Sequence, residues 1–362
     1  MKHKSSELIT IFLFCGFLAL MAGLYLLSPK ADFSENEKRY LSDFPEPQWD
    51  TVASGEWGED METYLADHIP GRDFLVGLNA YFDLYTGRQA GKDILLCGDR
   101  LVEAPVTWNP DAAIRNITIL QNLAANTGRE LDLMIVPSAG WATGMDGYSD
   151  EEQIREIYAM AQSGIRPIET TGLFRNRPDL YFRTDHHWNS AGAYGACSAY
   201  MTQVGREYPE PDFFTVEAAG MFQGSTYSRS ALWLTEGEEL ELWHGSTGLT
   251  VSNGETEGTH EGVFYREQLD EADKYTVYLD GNHSIVRIYN PNATGKLLVI
   301  RDSYANLLGC FLPEAYAEVV LIDMRYYKQP VSQLISQEDF DNILVCYSLS
   351  NFLTDTNLIW LK

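Results

Sequence analysis

The sequence predicts an α/β protein with a largely parallel sheet covered by helices. Short apolar runs alternate with stretches of helical periodicity, and the runs are too continuous for strands with one face in water. This alternation is typical of a doubly wound sheet. The predicted strands are residues 93–97, 130–136, 179–182, 296–300, 318–322 and 342–346. The predicted covering helices are residues 114–126, 151–163, 190–204 and 304–312.

Composition supports a packed domain and argues against a nucleic-acid partner. The chain has 362 residues, of which 45% are apolar and 12% aromatic, enough for a sizeable core. It carries 26 basic and 52 acidic side chains, a formal net charge of −26, without a long Lys/Arg stripe. A phosphate backbone would be repelled by this charge. We therefore predict no nucleic-acid binding.

The N-terminal segment predicts a membrane anchor. Lys2 and Lys4 precede an uncharged stretch from Leu8 to Leu27, and about 20 apolar residues suffice to cross a bilayer. A cleavable signal peptide is the alternative, but small residues do not precede a cleavage site around Leu27-Ser28-Pro29. The prediction is a single-pass anchor with a cytoplasmic N-terminus. Everything after Lys30 would then lie outside the cytoplasm.

The remaining chain predicts one large extracytoplasmic domain behind a linker. Residues 31–55 are polar and proline-containing, as expected of an extended linker. Residues 56–362 form the predicted domain, beginning with two helices broken near Pro70-Gly71. Residues 206–290 change texture to short β-type pieces and predict a β-rich insertion beside the main sheet. The cysteines outside the anchor favour buried free thiols, although one disulfide stays open.

A serine stands where ligands bind in such a sheet. Ser303 follows the apolar run 297–300 and precedes a predicted helix, which places it at the carboxyl edge of the strands. Free amides at the helix start would face a tetrahedral oxyanion. The alternative is that Asp302 or Ser303 only caps the helix.

A second loop supplies the partners that a serine nucleophile needs. In Asp185-His186-His187, residues two apart project to the same side, so Asp185 can orient His187 while the other ring nitrogen faces Ser303. Ser303, His187 and Asp185 are the predicted nucleophile, base and acid. A metal site built from Asp185, His186 and His187 is a weaker alternative, because a further ligand cluster is missing. We predict neither a metal nor a cofactor.

Several segments carry a resemblance to a known family. They are 35–41 with Phe44-Pro45, 67–72, Asp185-His186-His187-Trp188, Gly281-Asn282-His283 and Arg301-Asp302-Ser303-Tyr304. On these the chain resembles the DHHW protein family, similar to the alginate O-acetyltransferase proteins AlgJ and AlgX, within the SGNH (GDSL-type) hydrolase superfamily. The resemblance implies a flavodoxin-like SGNH fold in which the Asp-x-His element precedes the serine.

The resemblance also implies site residues. Asp185, His187 and Ser303 match the acid, base and nucleophile, and Asn282 matches an asparagine that assists the oxyanion hole; a plain β-turn at Gly281-Asn282 is the alternative. Arg301 replaces the glycine of the Gly-Asp-Ser motif and is expected to shrink or recharge the substrate pocket. Trp188 and Tyr304 flank the predicted catalytic atoms, so we expect both to line the site.

Two classes of function follow. The first is a membrane-anchored serine acyl-transfer enzyme, an O-acetyltransferase or acetylesterase acting on cell-envelope polysaccharide with an acyl donor. A multi-span membrane acyltransferase is a candidate partner. The second is a non-catalytic envelope module that binds glycan or protein on the same fold.

Overall fold

The computed structural model describes residues 2–88, 93–162, 164–255 and 258–361, which fall into two compact units. Unit 1 comprises Met1–Gly91 and Ser228–Leu234, and unit 2 comprises Lys92–Tyr227 and Thr235–Lys362. The helical region predicted to begin the large domain therefore groups with the segment that precedes it.

Unit 1 is mostly helical. Its first helix contains an apolar stretch, Leu8–Leu27, that is long enough to cross a membrane. Among the residues described, no other helix has this length and composition, which signal sequences share. The predicted helix break at Pro70-Gly71 is confirmed. Its elements are α1 (Lys2–Leu27), β1 (Phe33–Ser34), β2 (Arg39–Tyr40), α2 (Trp49–Ser54), α3 (Glu56–Asp67) and α4 (Arg72–Tyr85).

Two of the family-like segments bind each other inside unit 1. The Arg39 guanidinium donates to both carboxylate oxygens of Asp67, at 3.0 and 2.5 Å. Arg72 donates to both oxygens of Glu37, at 2.8 and 3.2 Å. The hydrogen bonds from Arg39 lower the pKa of Asp67. Bidentate pairs of this kind set geometry as well as charge, so these residues have a structural role in unit 1.

Unit 2 is built on an eight-stranded sheet. Its strands, in spatial order, are β10 (His260–Glu261), β9 (Thr250–Asn253), β11 (Ile285–Tyr289), β13 (Glu318–Asp323), β12 (Lys296–Arg301), β14 (Asn342–Ser348), β5 (Leu131–Val136) and β6 (Ile165–Pro167). Strands β13 to β6 pair in parallel, whereas β10, β9 and β11 are antiparallel. The predicted α/β class with a largely parallel sheet is confirmed.

Two predicted strands were wrong as members of this sheet. Residues 93–97 contribute β3 (Ile94–Cys97), which pairs with β4 (Arg100–Glu103) in a separate two-stranded sheet. Residues 179–182 form the end of a 3-10 helix (Pro178–Leu180) and a single bridge from Tyr181 to Trp188. Leu180, Tyr181 and Phe182 of the second run are buried, whereas Ile94 is the buried residue of the first. An apolar run reports burial, which packing can provide without strand pairing.

The predicted insertion divides between two sheets. Strands β7 (Thr215–Phe222) and β8 (Glu238–His244) form their own two-stranded sheet. Strands β9, β10 and β11 instead extend the main sheet, because β11 pairs along its whole length with β13 and satisfies that edge. The insertion therefore lies beside the main sheet only in part.

Helices cover both faces of the main sheet. Along β12, Leu297 and Val299 pack into one apolar cluster, while Leu298 and Ile300 pack into the other. This alternation is the two-residue period of a strand buried on both sides. After α4 the chain forms the helices α5 (Pro110–Thr127), α6 (Ala139–Ala142), α7 (Asp150–Met160), α8 (Thr171–Phe174), α9 (Ser190–Val204), α10 (Ser225–Ser230), α11 (Tyr304–Gly309), α12 (Val331–Gln337) and α13 (Leu349–Thr354). Within the described chain the cysteines are free thiols, and Cys197, Cys310 and Cys346 are buried.

Candidate active site

Three predicted residues meet at the carboxyl edge of the parallel strands. Ser303 lies in the turn between β12 and α11, and its Oγ is 2.8 Å from Nε2 of His187. Nδ1 of His187 is 2.6 Å from Oδ1 of Asp185. Asp185 and His187 are only 2% and 5% exposed, whereas Ser303 is partly exposed. The arrangement leaves the hydroxyl as the accessible end of a hydrogen-bonded chain.

Asp185 is held by more than the histidine ring. Its Oδ1 also accepts the His187 backbone N–H at 2.9 Å, and its Oδ2 accepts the Ser225 N–H at 2.7 Å. Burial opposes ionisation of this carboxyl, but the neighbouring histidines and these hydrogen bonds outweigh burial and hold its pKa well below the usual value. A Cβ on Gly224 would lie 2.3 Å from Cβ and Oδ2 of Asp185, so only glycine fits there without displacing the acid.

An aromatic ring that sequence reasoning missed supports the base. Tyr275 stacks on the His187 imidazole, with ring centroids 4.0 Å apart and planes inclined by 6°. Its hydroxyl donates to the Ser303 carbonyl at 3.1 Å. Tyr275 belongs to a 3-10 helix (Lys274–Val277) within the predicted insertion. The sequence around this tyrosine has no motif that marks it as a site residue. Its role depends on the tertiary contact that brings the insertion against His187.

Asp302, rather than Ser303, provides the side-chain contacts that hold this turn. Its Oδ1 accepts the Tyr304 N–H at 3.0 Å. Its Oδ2 accepts from the N–H and hydroxyl of Ser348 and from the Asn351 amide, at 2.8 to 2.9 Å. The Ser303 side chain makes no capping hydrogen bond within this described part of the chain. The capping alternative thus applies to Asp302, and the serine hydroxyl is left to face His187.

Trp188 and Tyr304, expected to line the site, are both buried. Trp188 is fully buried, and its Nε1 donates to the Tyr304 carbonyl at 3.0 Å. Its side chain is therefore inaccessible to a substrate, and it packs in the core. The Tyr304 hydroxyl donates to the His186 carbonyl. The Tyr304 ring lies beside the His187 imidazole, with ring centroids 4.9 Å apart, so Tyr304 still adjoins the site.

Arg301 does not enter the pocket, contrary to expectation. Its side chain is 0% exposed, and its Nη1 donates to Oδ1 of Asn282 at 2.9 Å. It therefore contacts Asn282, the predicted oxyanion residue, from the protein interior. Asn282 is exposed and follows three residues in the left-handed region, Leu279, Asp280 and Gly281. A turn of this kind is strained for leucine, which marks the segment as one held by its surroundings.

The metal alternative has a geometric basis. Asp185, His186 and His187 offer ligand atoms that lie within 4.8 Å of one another. However, Oδ1 of Asp185 and both ring nitrogens of His187 are already joined in the hydrogen bonds to each other and to Ser303. A metal ion would have to replace those bonds.

Fold and site together define a class: α/β proteins with an Asp–His–Ser hydrogen-bonded chain at the carboxyl edge of a mostly parallel sheet. The family model described as DHHW protein matches residues 168–322, which contain all three of these residues. The predicted relation to the DHHW family is thereby confirmed over this part of the chain.

Solved structures share the fold. A DHHW family protein from Eubacterium siraeum has a TM-score of 0.64 at 18% identity, over 75% of this chain and 97% of its own. Bacillus cereus PatB1 with a sulfonyl adduct has a TM-score of 0.64 at 20% identity, over 74% and 98% of the two chains. The O-acetyltransferase domain of Pseudomonas putida AlgJ is a more distant likeness, with a TM-score of 0.42 at 12% identity, over 74% of this chain and 92% of its own. A search of curated proteins finds no match.

Proposed function

We propose that the chain is a membrane-anchored serine acyl-transfer enzyme that acts on cell-envelope carbohydrate outside the cytoplasm. The observation that carries the proposal is the hydrogen-bonded chain from Asp185 through His187 to the partly exposed Ser303. A serine hydroxyl near neutral pH needs such a base and such an orienting acid to become a nucleophile.

In the first half-reaction, Oγ of Ser303 attacks the carbonyl carbon of an acyl ester while Nε2 of His187 takes the hydroxyl proton. The Asp185 carboxylate, ionised because its pKa is low, stabilises the imidazolium that forms. The carbonyl oxygen becomes an oxyanion, which the Asn282 amide would stabilise. The intermediate collapses when the imidazolium returns the proton to the leaving alcohol, and an acyl-serine remains.

In the second half-reaction, His187 takes a proton from the acceptor, which attacks the acyl-serine. A sugar hydroxyl as acceptor gives an O-acetyltransferase, and water gives an acetylesterase. Both outcomes use the same residues and restore the Ser303 hydroxyl when the imidazolium returns its proton. The distinction depends on which acceptor occupies the space beside Ser303.

The location and partners belong to the same proposal. The helix over Leu8–Leu27 would anchor the chain, with the sheet unit on the outer side of the membrane where envelope polysaccharide is found. An acyl group must be supplied there by a donor. A multi-span membrane acyltransferase is the class of partner that delivers acyl groups across a bilayer.

Labelling of the purified full chain in detergent tests the proposal directly. Sulfonyl fluorides react with activated serine hydroxyls, and PatB1 has been solved with a sulfonyl adduct. We expect phenylmethylsulfonyl fluoride to modify Ser303 in the wild type, and the chain to hydrolyse p-nitrophenyl acetate. Ser303→Ala and His187→Asn should abolish both, whereas the control Ser54→Ala, at an exposed helix end, should not. Equal turnover by wild type and Ser303→Ala would reject the proposal.

A second candidate function, a non-catalytic glycan-binding module, is favoured by one observation. A cavity of about 520 Å³, within the usual range for small-molecule sites, is bordered by Trp243, Phe264 and Glu314 and by none of the three triad residues. Aromatic faces and a carboxylate suit a sugar ring. Sugar binding that is lost in Trp243→Ala, with no Ser303-dependent turnover in the wild type, would favour this reading.

A further inference from the structure

Arg301 is an unusual charge in the interior of unit 2. It ends β12, is completely buried, and lies 3.7 Å from the nearest carboxylate oxygen, on Asp323. That carboxylate is already bound by Arg325 at 2.6 to 3.2 Å. Among the described residues, Nε and Nη2 of Arg301 have no hydrogen-bond partner. A buried guanidinium so poorly compensated is not explained by stability, because its desolvation outweighs what one partial ion pair returns.

Among the described residues, the one hydrogen bond that the Arg301 side chain makes goes to Asn282. Nη1 donates to Oδ1 of Asn282 at 2.9 Å, and the amide of buried Asn306 donates to the same oxygen at 3.1 Å. An amide oxygen has two lone pairs, so both acceptor positions are filled. Over the same residues, the Asn282 amide nitrogen has no partner of its own, and the side chain is exposed. The nitrogen is thus the end of Asn282 that a ligand can reach.

The chemistry of the two anchors selects this orientation. A guanidinium has five donors and no acceptor, so it can bind the oxygen end of the amide but not the nitrogen end. If the amide turned over, two N–H groups would face each other in the interior. Arg301 and Asn306 stand two residues before and three residues after Ser303, so the turn that carries the nucleophile also carries both anchors.

We propose that Arg301 is a positioning residue that holds the Asn282 amide nitrogen toward the oxyanion formed when Ser303 attacks an acyl group. The inference rests on the proposed function and extends it. Arg301 itself touches no reacting atom. Its effect comes from excluding the amide orientation that would present an oxygen, and a negative dipole, to the developing charge.

A double-mutant cycle in the full chain tests this, with p-nitrophenyl acetate as the probe. Asn282→Ala should lower kcat about 10²- to 10³-fold, the usual loss for one oxyanion donor. Arg301→Met should lower kcat about tenfold or more, equivalent to one hydrogen bond from a charged donor. KM should stay within about twofold in both, since the oxyanion exists only in the transition state. Arg301→Met combined with Asn282→Ala should match Asn282→Ala alone.

Two further variants separate positioning from folding or charge. Arg325→Met removes a cation beside the same Asp323 without touching Asn282, and should leave kcat unchanged. Arg301→Lys keeps a buried cation with fewer donors, and should give a kcat between wild type and Arg301→Met; if Arg301→Met does not fold, Arg301→Lys takes its place in the cycle. Urea unfolding of each variant monitors the fold.

Each failure is recognisable. If Arg301→Met lowers kcat by the same factor with and without Asn282, or leaves kcat unchanged, the inference is overturned while the proposed function stands. An unimpaired Asn282→Ala overturns it in the same way. If the wild type shows no Ser303-dependent turnover, the proposed function fails and the inference falls with it.

Discussion

Replacing Asp185 with asparagine changes one buried atom at the centre of the site. The carboxylate accepts three hydrogen bonds from donors, two at Oδ1 and one at Oδ2. An amide keeps one oxygen and adds an NH₂ group, which cannot accept. If the asparagine oxygen takes the place of Oδ1, both hydrogen bonds from His187 are kept. The NH₂ group then faces the Ser225 N–H, and that hydrogen bond is lost. The reverse orientation loses two bonds, so we expect the first.

The magnitude follows from that count. A hydrogen bond to a charged group contributes about 1.5–3 kcal/mol, so Asp185→Asn should lower the free energy of unfolding at pH 7 by about that amount. Because the pKa of Asp185 lies well below 3.8, this stabilisation is present above pH 3.8 and disappears as pH falls through the folded-state pKa. Loss of the negative charge beside the imidazolium should lower kcat by about 10²- to 10⁴-fold.

Urea unfolding in detergent at pH 7 and at pH 3 or below, together with ester turnover, checks both parts. Asp212→Asn makes the same charge change at an exposed position and should alter neither the unfolding free energy nor kcat. An unfolding free energy within about 0.5 kcal/mol of wild type at pH 7, or a kcat within a few-fold, would show that Asp185 does not hold His187 as argued. A stability difference that persists unchanged at low pH would refute the electrostatic part.

Three further predictions test the surroundings of the site. Gly224→Ala should displace Asp185, lowering kcat more than tenfold and the free energy of unfolding by about 1–3 kcal/mol, whereas Gly172→Ala, with open space around its Cβ position, should change neither. Burial raises the pKa of Glu238 to about 7, so the free energy of unfolding should fall as pH rises from 4.5 to 7. Urea unfolding of Glu238→Gln should show that up to about 3 kcal/mol of this fall is lost. EDTA should leave ester turnover unchanged; a loss that Zn²⁺ restores would instead favour a metal at Asp185, His186 and His187.

The strands that sequence predicted best are those buried on both faces. The runs at 130–136, 296–300, 318–322 and 342–346 became central parallel strands, since such strands need apolar side chains at every position. The run at 179–182 is also mostly apolar and yet forms the end of a 3-10 helix and a single bridge. The short strand Ile165–Pro167 escaped notice, because three residues carry no period. A local apolar pattern indicates that a segment is buried, but it does not indicate which strand, if any, the segment pairs with.

The site shows the same division. The spacing of Asp185 and His187 is a local property, and so is the position of Ser303 after a strand. The sequence alone was therefore enough to predict these three residues as the catalytic candidates. The sequence did not predict the roles of Arg301, Trp188 and Tyr275, because those roles depend on contacts between distant segments. Arg301 was expected in the pocket and is buried behind Asn282, and Tyr275 was not expected at all.

By itself the sequence determined the α/β class, the strand-and-turn setting of the serine, the acid–histidine spacing and the relation to the DHHW family. Only the tertiary structure decided that residues 116 positions apart share a hydrogen bond, which tyrosine covers the imidazole, and which side of Asn282 the arginine binds. The physical reason is that periodicity and turn chemistry act over a few residues. Contacts between distant segments depend on how the strands are ordered and where each loop returns, and those are properties of the folded chain as a whole.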